Sequence, residues 1–474
     1  MAILAIDQGT SATKAIVIDG DRVLATAESP IDVVATANGG VELDPTALWN
    51  SVVGAGCRAL IEAGSPRLDA IGLANQGETV LAWDRSSGAA IGPAIVWQDR
   101  RSADICIDLA GHAARLAEIT GLELDPYFVA PKIVWLREQV GTGPTITTTD
   151  AWLLHKMCGA FVTDVATAGR SLLADLDTGR WSDEACQIFD LDRAELPRIV
   201  GNAEALGDCS VFGGQRAPVT GVCVDQQAVL FAESCHAAGE AKCTYGTGAF
   251  LLASTGHVPT RSQNGLVGCP AWQLDGALTW CLDGQVYTAG AAVGWLIDMG
   301  IMSEPADLDR LGSTVADAGG VTFVPALAGL AAPYWKPQAK AAFTGLSLST
   351  ERANLVRAAI DGIATQVALL AQAAGRDLGS PMTMLRVDGG LTRSQLLLQT
   401  QADLLQAPVE VYPSPHATAL GVAAFAAVGA GLRDAARVDR DWRPETVVEP
   451  SIGADEAASR LHHWQAVADA TMDR

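Results

Sequence analysis

The 474-residue sequence sets 54 acidic against 32 basic side chains, a formal net charge of −22 and a pI near 4.6, with 49% hydrophobic residues. A chain of this length outgrows one core and should divide into two domains. Its acidic surface, with no Lys/Arg cluster, repels nucleic acid and anionic membranes and argues against both as partners. The 10 cysteines include no Cys-x-x-Cys pair, so they are expected to be buried thiols in a reducing cytoplasm, not a disulfide or zinc framework.

The N-terminus lacks a basic leader and Asp7 interrupts its apolar run, so no signal peptide is expected. Residues 4–17 read as strand, turn and strand. Gly9 allows a tight reversal, and Thr10, Ser11 and Thr13 offer hydroxyls beside backbone amides to an anion. Asp7, at the strand end, can hold a hydrated Mg²⁺ against that anion. Taken alone, Asp-x-Gly-Thr suits an ordinary hairpin equally well. A strand over 22–28 and a Gly39-Gly40 loop follow. A helix is expected over about 45–63, capped by Asp44, with Leu48, Val52 and Val53 on one face. Residues 70–76 form a buried strand that runs into a polar turn. Further strands are expected at 80–83 and 94–98, joined by a turn at Ser86-Ser87-Gly88. Residues 101–212 read as mostly helical, most clearly over about 131–139. A strand at 219–224 then leads to Asp225-Gln226-Gln227 and a helix over 228–234.

The small, polar segment 235–240 marks the expected boundary between an N-terminal domain, 1–238, and a C-terminal domain, 239–474. A second glycine loop, Thr244-Tyr245-Gly246-Thr247-Gly248-Ala249-Phe250, follows at once. Strands continue to about 288, with a helix from 289, a loop over 326–336 and a long helix over about 352–374. Residues 385–394, with Asp388, Gly389, Gly390 and Ser394, make a third loop before a helix at 395. The Ala- and Gly-rich run 417–432 is too short to cross a membrane and reads as a packed terminal helix. Three loops of acid, glycine and hydroxyl, where backbone can approach a phosphate closely, suggest two related nucleotide-gripping halves.

These motifs join Asn75-Gln76-Gly77-Glu78-Thr79, Ala94–Arg101, Phe323–Ala326, Ala332–Trp335 and the 341–361 stretch. In order and spacing they resemble the FGGY family of carbohydrate kinases, and within it the glycerol kinases, from Ala5 to about Gly429. The resemblance implies an α/β, two-domain, actin/hexokinase-like (ribonuclease H-like) superfold with an interdomain cleft, ATP mainly on the second domain and the polyol mainly on the first. It implies ATP-dependent phosphorylation of a terminal hydroxyl of a small polyol or sugar, with ATP and Mg²⁺ as cofactors. A cytoplasmic homo-oligomer, a dimer, is expected.

Asp225 resembles the catalytic aspartate that binds the acceptor hydroxyl and takes its proton, and Asp7 the aspartate that holds Mg²⁺ through water. Gly9, Thr10, Ser11 and Lys14 match the first phosphate loop, and Gly246 with Thr247 the second. Gly290, Val293 and Gly294 match positions near the nucleotide. Gly389, Gly390 and Ser394 match the adenosine site, with Ser394 where glycerol kinases carry asparagine. Gln76, Gly77, Glu78, Trp97, Tyr127, Asp225, Gln226 and Phe250 match the acceptor pocket. Singly, Trp97 and Phe250 read as core aromatics, and Glu78 and Tyr127, on polar turns, suit solvated positions equally well. Chemistry agrees with these roles: phosphoryl transfer is mostly positioning and charge neutralisation, and one carboxylate in reach of the hydroxyl serves as base.

Gly77 departs from the family pattern, standing where glycerol kinases have arginine. Its loss opens room for a longer polyol or a ketopentose, unless Arg100 or Arg101 compensates. The motif of xylulokinases at this point is absent. From another class, a non-catalytic nucleotide-dependent sensor shares the superfold. The retention of both Asp7 and Asp225 within their motifs favours the kinase.

Overall fold

The computed structural model describes residues 1–20, 22–36, 38–434 and 442–472. The buried apolar strand Ala2–Gln8 turns back at Gly9, whose amide donates to Ala12 O at 3.0 Å, and pairs antiparallel with Ala12–Asp19. Among the described residues these strands belong to a six-stranded sheet in the order Gly207–Cys209, Ala217–Val224, Ala70–Asn75, Ala2–Gln8, Ala12–Asp19, Arg22–Pro30. Its three central strands run parallel, with Gln8 opposite Asn75 and Val224 opposite Asn75. Their carboxyl ends therefore stop at one level, where open α/β sheets bind ligands. Helix Pro45–Glu62 covers this sheet; Asp44 caps it, accepting from Thr46 N at 2.9 Å.

The second half repeats the plan in a seven-stranded sheet. Hairpin Ala241–Tyr245 and Ala249–Gly256 surrounds the second glycine loop, and Leu385–Asp388 runs parallel to its first strand, setting Thr244 opposite Asp388. Helix Arg352–Leu378 is long and apolar enough to cross a membrane, yet most of it is buried in this half's core. The ten cysteines are free thiols; Cys57 and Cys158 are partly exposed and the other eight buried.

Several expectations need correction. Residues 101–212 alternate helices such as Val129–Val140 and Thr149–Cys158 with short strands, including Thr145–Thr148 and Arg198–Val200. Strands of two to four residues are too short to show an alternation in sequence. The strand expected at 94–98 is only Ala94–Ile95, and Asp225-Gln226-Gln227 open the helix Asp225–Ala232 instead of preceding it. A further helix, Ala454–Met472, follows the run taken as terminal.

That run, helix Ala417–Gly429, lies against Ala217–Val224, Ala70–Asn75 and helix Asp225–Ala232 of the first half. The stretch 239–474 therefore sends one helix across to the other domain. Glycine makes the crossing close: a Cβ on Gly421 would stand 1.9 Å from Ala228 O.

Candidate active site

The parallel strand ends gather the candidate residues. Asp225 follows Val224 directly, and its Oδ1 accepts the Gln226 N–H at 2.7 Å. Burial, then the charges of Asp7 and Glu78, push its carboxyl up to about 7. Asp7 is raised to about 6, by burial first, against the opposing pull of Lys14, with Asp388 adding to the rise. Asp388 ends the corresponding strand of the second half. Burial raises it too, and its Oδ1 is buried without a partner. The buried Lys242 ammonium donates to Gln226 Oε1 at 2.5 Å and Thr244 Oγ1 at 2.9 Å, bracing the Asp225-Gln226 turn from the second half.

A cavity of about 160 Å³ opens beside Asp225. The structure brings to its wall all eight residues matched to the acceptor pocket: Gln76, Gly77, Glu78, Trp97, Tyr127, Asp225, Gln226 and Phe250. Trp97 sits edge-on to Tyr127 and Phe250, with ring centroids 5.9 and 6.1 Å away, and its Nε1–H donates to Thr10 Oγ1 at 2.9 Å. Tyr127 and Glu78 are buried, not solvated. Glu78 adopts φ 52°, a left-handed conformation unusual for a non-glycine residue and common at functional sites.

Two charged wall residues were missed, Arg170 and Asp283. Arg170 donates from Nε to Glu78 and from Nη1 to Asp283, so one buried guanidinium joins a carboxylate of each half. An arginine flanked by Val165-Ala166-Thr167-Ala168-Gly169 and Leu172-Leu173, and an aspartate inside the apolar strand Ala277–Val286, were the signals available. Charges in such runs are buried and must find partners. Arg100 and Arg101 do not line this wall: Arg100 pairs with Asp125 at 2.7 Å, and Arg101 with Asp99 and Glu42 at 2.7 and 2.6 Å. Thr13 offers nothing to an anion, because its buried hydroxyl bonds Ser51 Oγ at 2.7 Å.

A second cavity, about 930 Å³, is lined by Gly246, Thr247, Gly290, Val293, Gly294, Gly390 and Ser394, with apolar Ile297, Leu308 and Leu391 able to cover a flat base. Gly246 and Thr247 line both cavities, so the second glycine loop is their common wall. Of the first loop, Thr10 reaches the smaller cavity, whereas Asp7, Gly9, Ser11 and Lys14 line neither. Gly389 is structural: at φ 97°, its Cβ would meet Tyr245 O at 2.4 Å. Ser394 reaches the cavity with its hydroxyl already engaged, donating to Asp309 Oδ1 at 2.6 Å and accepting Leu397 N–H to cap helix Gln395–Leu405.

Comparison with known proteins assigns the family and the fold. The family model "FGGY family of carbohydrate kinases, N-terminal domain" matches residues 2–232, and its C-terminal counterpart residues 241–430. A glycerol kinase from Alkalilimnicola ehrlichii is 40% identical over 98% of this chain and 97% of its own length. One from Thermus brockianus is 40% identical over the same shares. The crystal structure of Plasmodium falciparum glycerol kinase with ADP superposes with a TM-score of 0.90 at 28% identity, covering 99% of this chain and 98% of that one. Xylulose kinase from Lactobacillus acidophilus also reaches 0.90, at 20% identity over 99% of this chain and 98% of that one, a likeness of fold alone.

Proposed function

This chain belongs to the FGGY family of carbohydrate kinases, ATP-dependent phosphotransferases with an alcohol acceptor, and on that premise we propose its acceptor chemistry. A terminal hydroxyl of a small polyol or sugar binds beside Asp225, which takes its proton as the oxygen attacks the γ-phosphoryl group of ATP. One observation carries the reading: a buried carboxyl raised to about 7 lines the acceptor cavity, which shares the second glycine loop with the larger cavity. A base with that affinity is about half deprotonated at neutral pH and accepts a proton readily. Its Oδ1 is held by the Gln226 amide, leaving Oδ2 for the acceptor proton.

Trp97, Tyr127 and Phe250 would cover the carbon skeleton while Glu78 accepts from a neighbouring hydroxyl. ATP would lie in the larger cavity, its phosphates against the amides of Gly246 and Thr247. The donor set suits Mg²⁺, which binds through one or two carboxylates, waters and phosphate oxygens. Among the described residues no group of three or more His, Cys, Asp or Glu forms a closed metal cage. Asp7, with the unpartnered Asp388 Oδ1 beyond it, is the carboxylate that would hold the hydrated ion, which neutralises phosphate charge.

The test is Asp225→Asn. Turnover, read by coupled ADP release, is expected to fall about 10²–10⁴-fold while ATP binding persists. A variant retaining near wild-type turnover would remove Asp225 from the role of base. The sensor reading predicts no acceptor-dependent ADP release from the wild type at all.

A further inference from the structure

We propose that Cys269 and Cys281 are a redox pair: a peroxide joins them in a reversible disulfide beneath the smaller cavity, and the bond slows turnover of the acceptor. The bond itself stands apart from the kinase reading, whereas its effect on turnover rests on that reading.

Strand register sets the pair. Strands Val267–Leu274 and Ala277–Val286 run antiparallel, with Cys269 directly opposite Cys281. Opposed residues of such a ladder have Cα atoms about 4.5–5.5 Å apart, within the span of about 4.4–6.8 Å that a disulfide bridges. The two sulfurs already face each other at 3.6 Å. Closing that gap to about 2.05 Å requires no change of strand pairing.

The surroundings prepare one thiol to react. Cys269 Sγ accepts from Gln227 Nε2 at 3.6 Å and from Arg170 Nη1 at 3.8 Å. The hydrogen bond from Cys281, and the Arg170 guanidinium, draw the Cys269 thiol below its ordinary range against the opposing effect of burial. The same bond, together with burial, raises Cys281. Cys269 is therefore the thiolate that attacks and Cys281 the thiol that resolves. Both are shielded from bulk water, at 0% and 1% exposure. Yet Arg170 and Gln227, which touch Cys269, line the smaller cavity, as does Asp283, on the same strand face as Cys281. A small neutral oxidant in that cavity has one layer of side chains to pass.

The step balances with the peroxide as its co-reactant. The Cys269 thiolate attacks one oxygen of hydrogen peroxide and the O–O bond breaks, giving a sulfenic acid and a hydroxide that takes up the Cys269 proton to become water. The Cys281 sulfur attacks the sulfenic sulfur and the S–S bond forms. The sulfenic hydroxyl leaves with the Cys281 proton as a second water. Two thiols have then given two electrons to one peroxide, and a dithiol returns them by exchange. Drawing Cys269 towards Cys281 takes a sulfur acceptor from Gln227 and Arg170. Arg170 also holds Glu78 and Asp283 of the cavity wall, so the wall must re-pair. None of these groups lines the larger cavity, so nucleotide binding should be spared.

The experiment treats the reduced full-length protein with hydrogen peroxide, caps remaining thiols in denaturant and maps the peptides by mass spectrometry. The peptides holding Cys269 and Cys281 should be linked, about 2 Da lighter than the reduced pair and separated by dithiothreitol. Acceptor-dependent ADP release, with the better of glycerol and xylitol, should fall about tenfold, as for an unpaired buried polar group. The loss should lie mostly in KM for the acceptor and be restored by dithiothreitol. Cys281→Ala lacks the resolving thiol, so the same treatment should carry Cys269 on to sulfinic acid, which dithiothreitol does not restore. Recovery of that variant as full as the wild type's would overturn the resolving role. The wild-type map tests the bond independently of any variant. Cys269 and Cys281 both capped as thiols, while the partly exposed Cys57 or Cys158 is oxidised, would overturn the pair. A linkage with unchanged turnover would overturn the switch. No acceptor-dependent ADP release from the reduced protein would overturn the kinase reading, with the map still deciding the bond.

Discussion

At Asp225 the carboxyl has lost water and faces two further acids, and both effects oppose its charge. A base works only when deprotonated, so kcat/KM should fall about tenfold per pH unit below pH 7, as a single acid limb in a pH–rate profile. The same shift has a stability sign. The folded carboxyl binds its proton up to about pH 7 and the unfolded one only to 3.8, so charging it penalises the fold as pH rises through that window. Below the window the penalty is absent. Asp225→Asn, which cannot ionise, should therefore be more stable than wild type at pH 8, by on the order of 1–3 kcal/mol in urea unfolding. At pH 4 the two proteins should converge. An equal difference at both pH values would mean that charge burial is not the cause.

Among elements, the crossing helix Ala417–Gly429 helps seat Asp225. It packs on helix Asp225–Ala232, whose first residue is Asp225, and the contact is made at bare backbone: a Cβ on Gly421 would sit 1.9 Å from Ala228 O. A carbonyl cannot rotate away as a side-chain tip can. Gly421→Ala should cost about 1–3 kcal/mol, read as a lower urea midpoint, and should lower kcat because it displaces the helix that carries Asp225, the proposed base. Gly294 makes the contrast. Nothing lies within 4 Å of a Cβ there, inside helix Gly290–Asp298. Gly294→Ala should gain about 0.5–1 kcal/mol of stability from helix propensity, measured in the same denaturation experiment.

Across the molecule, the smaller and larger cavities share the second glycine loop, and the Arg170 pairs span the two halves. A kinase must keep water from the γ-phosphate until the acceptor is in place, so the halves should close when both ligands are present. Small-angle scattering should show a smaller radius of gyration with a non-hydrolysable nucleotide and acceptor together than with either alone. An unchanged radius would speak against closure.

Much of the site was legible in the sequence because it lies in short local patterns. An apolar strand that ends near Asp7 or Asp388 beside glycine and hydroxyl residues, or at Asp225 before two glutamines, is visible within about ten positions, and so is the Asp44 cap. Strand and turn chemistry act over that range. Partner choice between distant charges does not. Arg170 meets Glu78 and Asp283, 92 and 113 positions away, while Arg100 and Arg101 are drawn to carboxylates elsewhere. Thr13 turns to Ser51, and helix Ala417–Gly429 crosses to the sheet of the opposite half. Burial makes each of these groups seek a partner, a demand readable from the residue itself. Which partner answers depends on which surfaces the folded halves bring face to face.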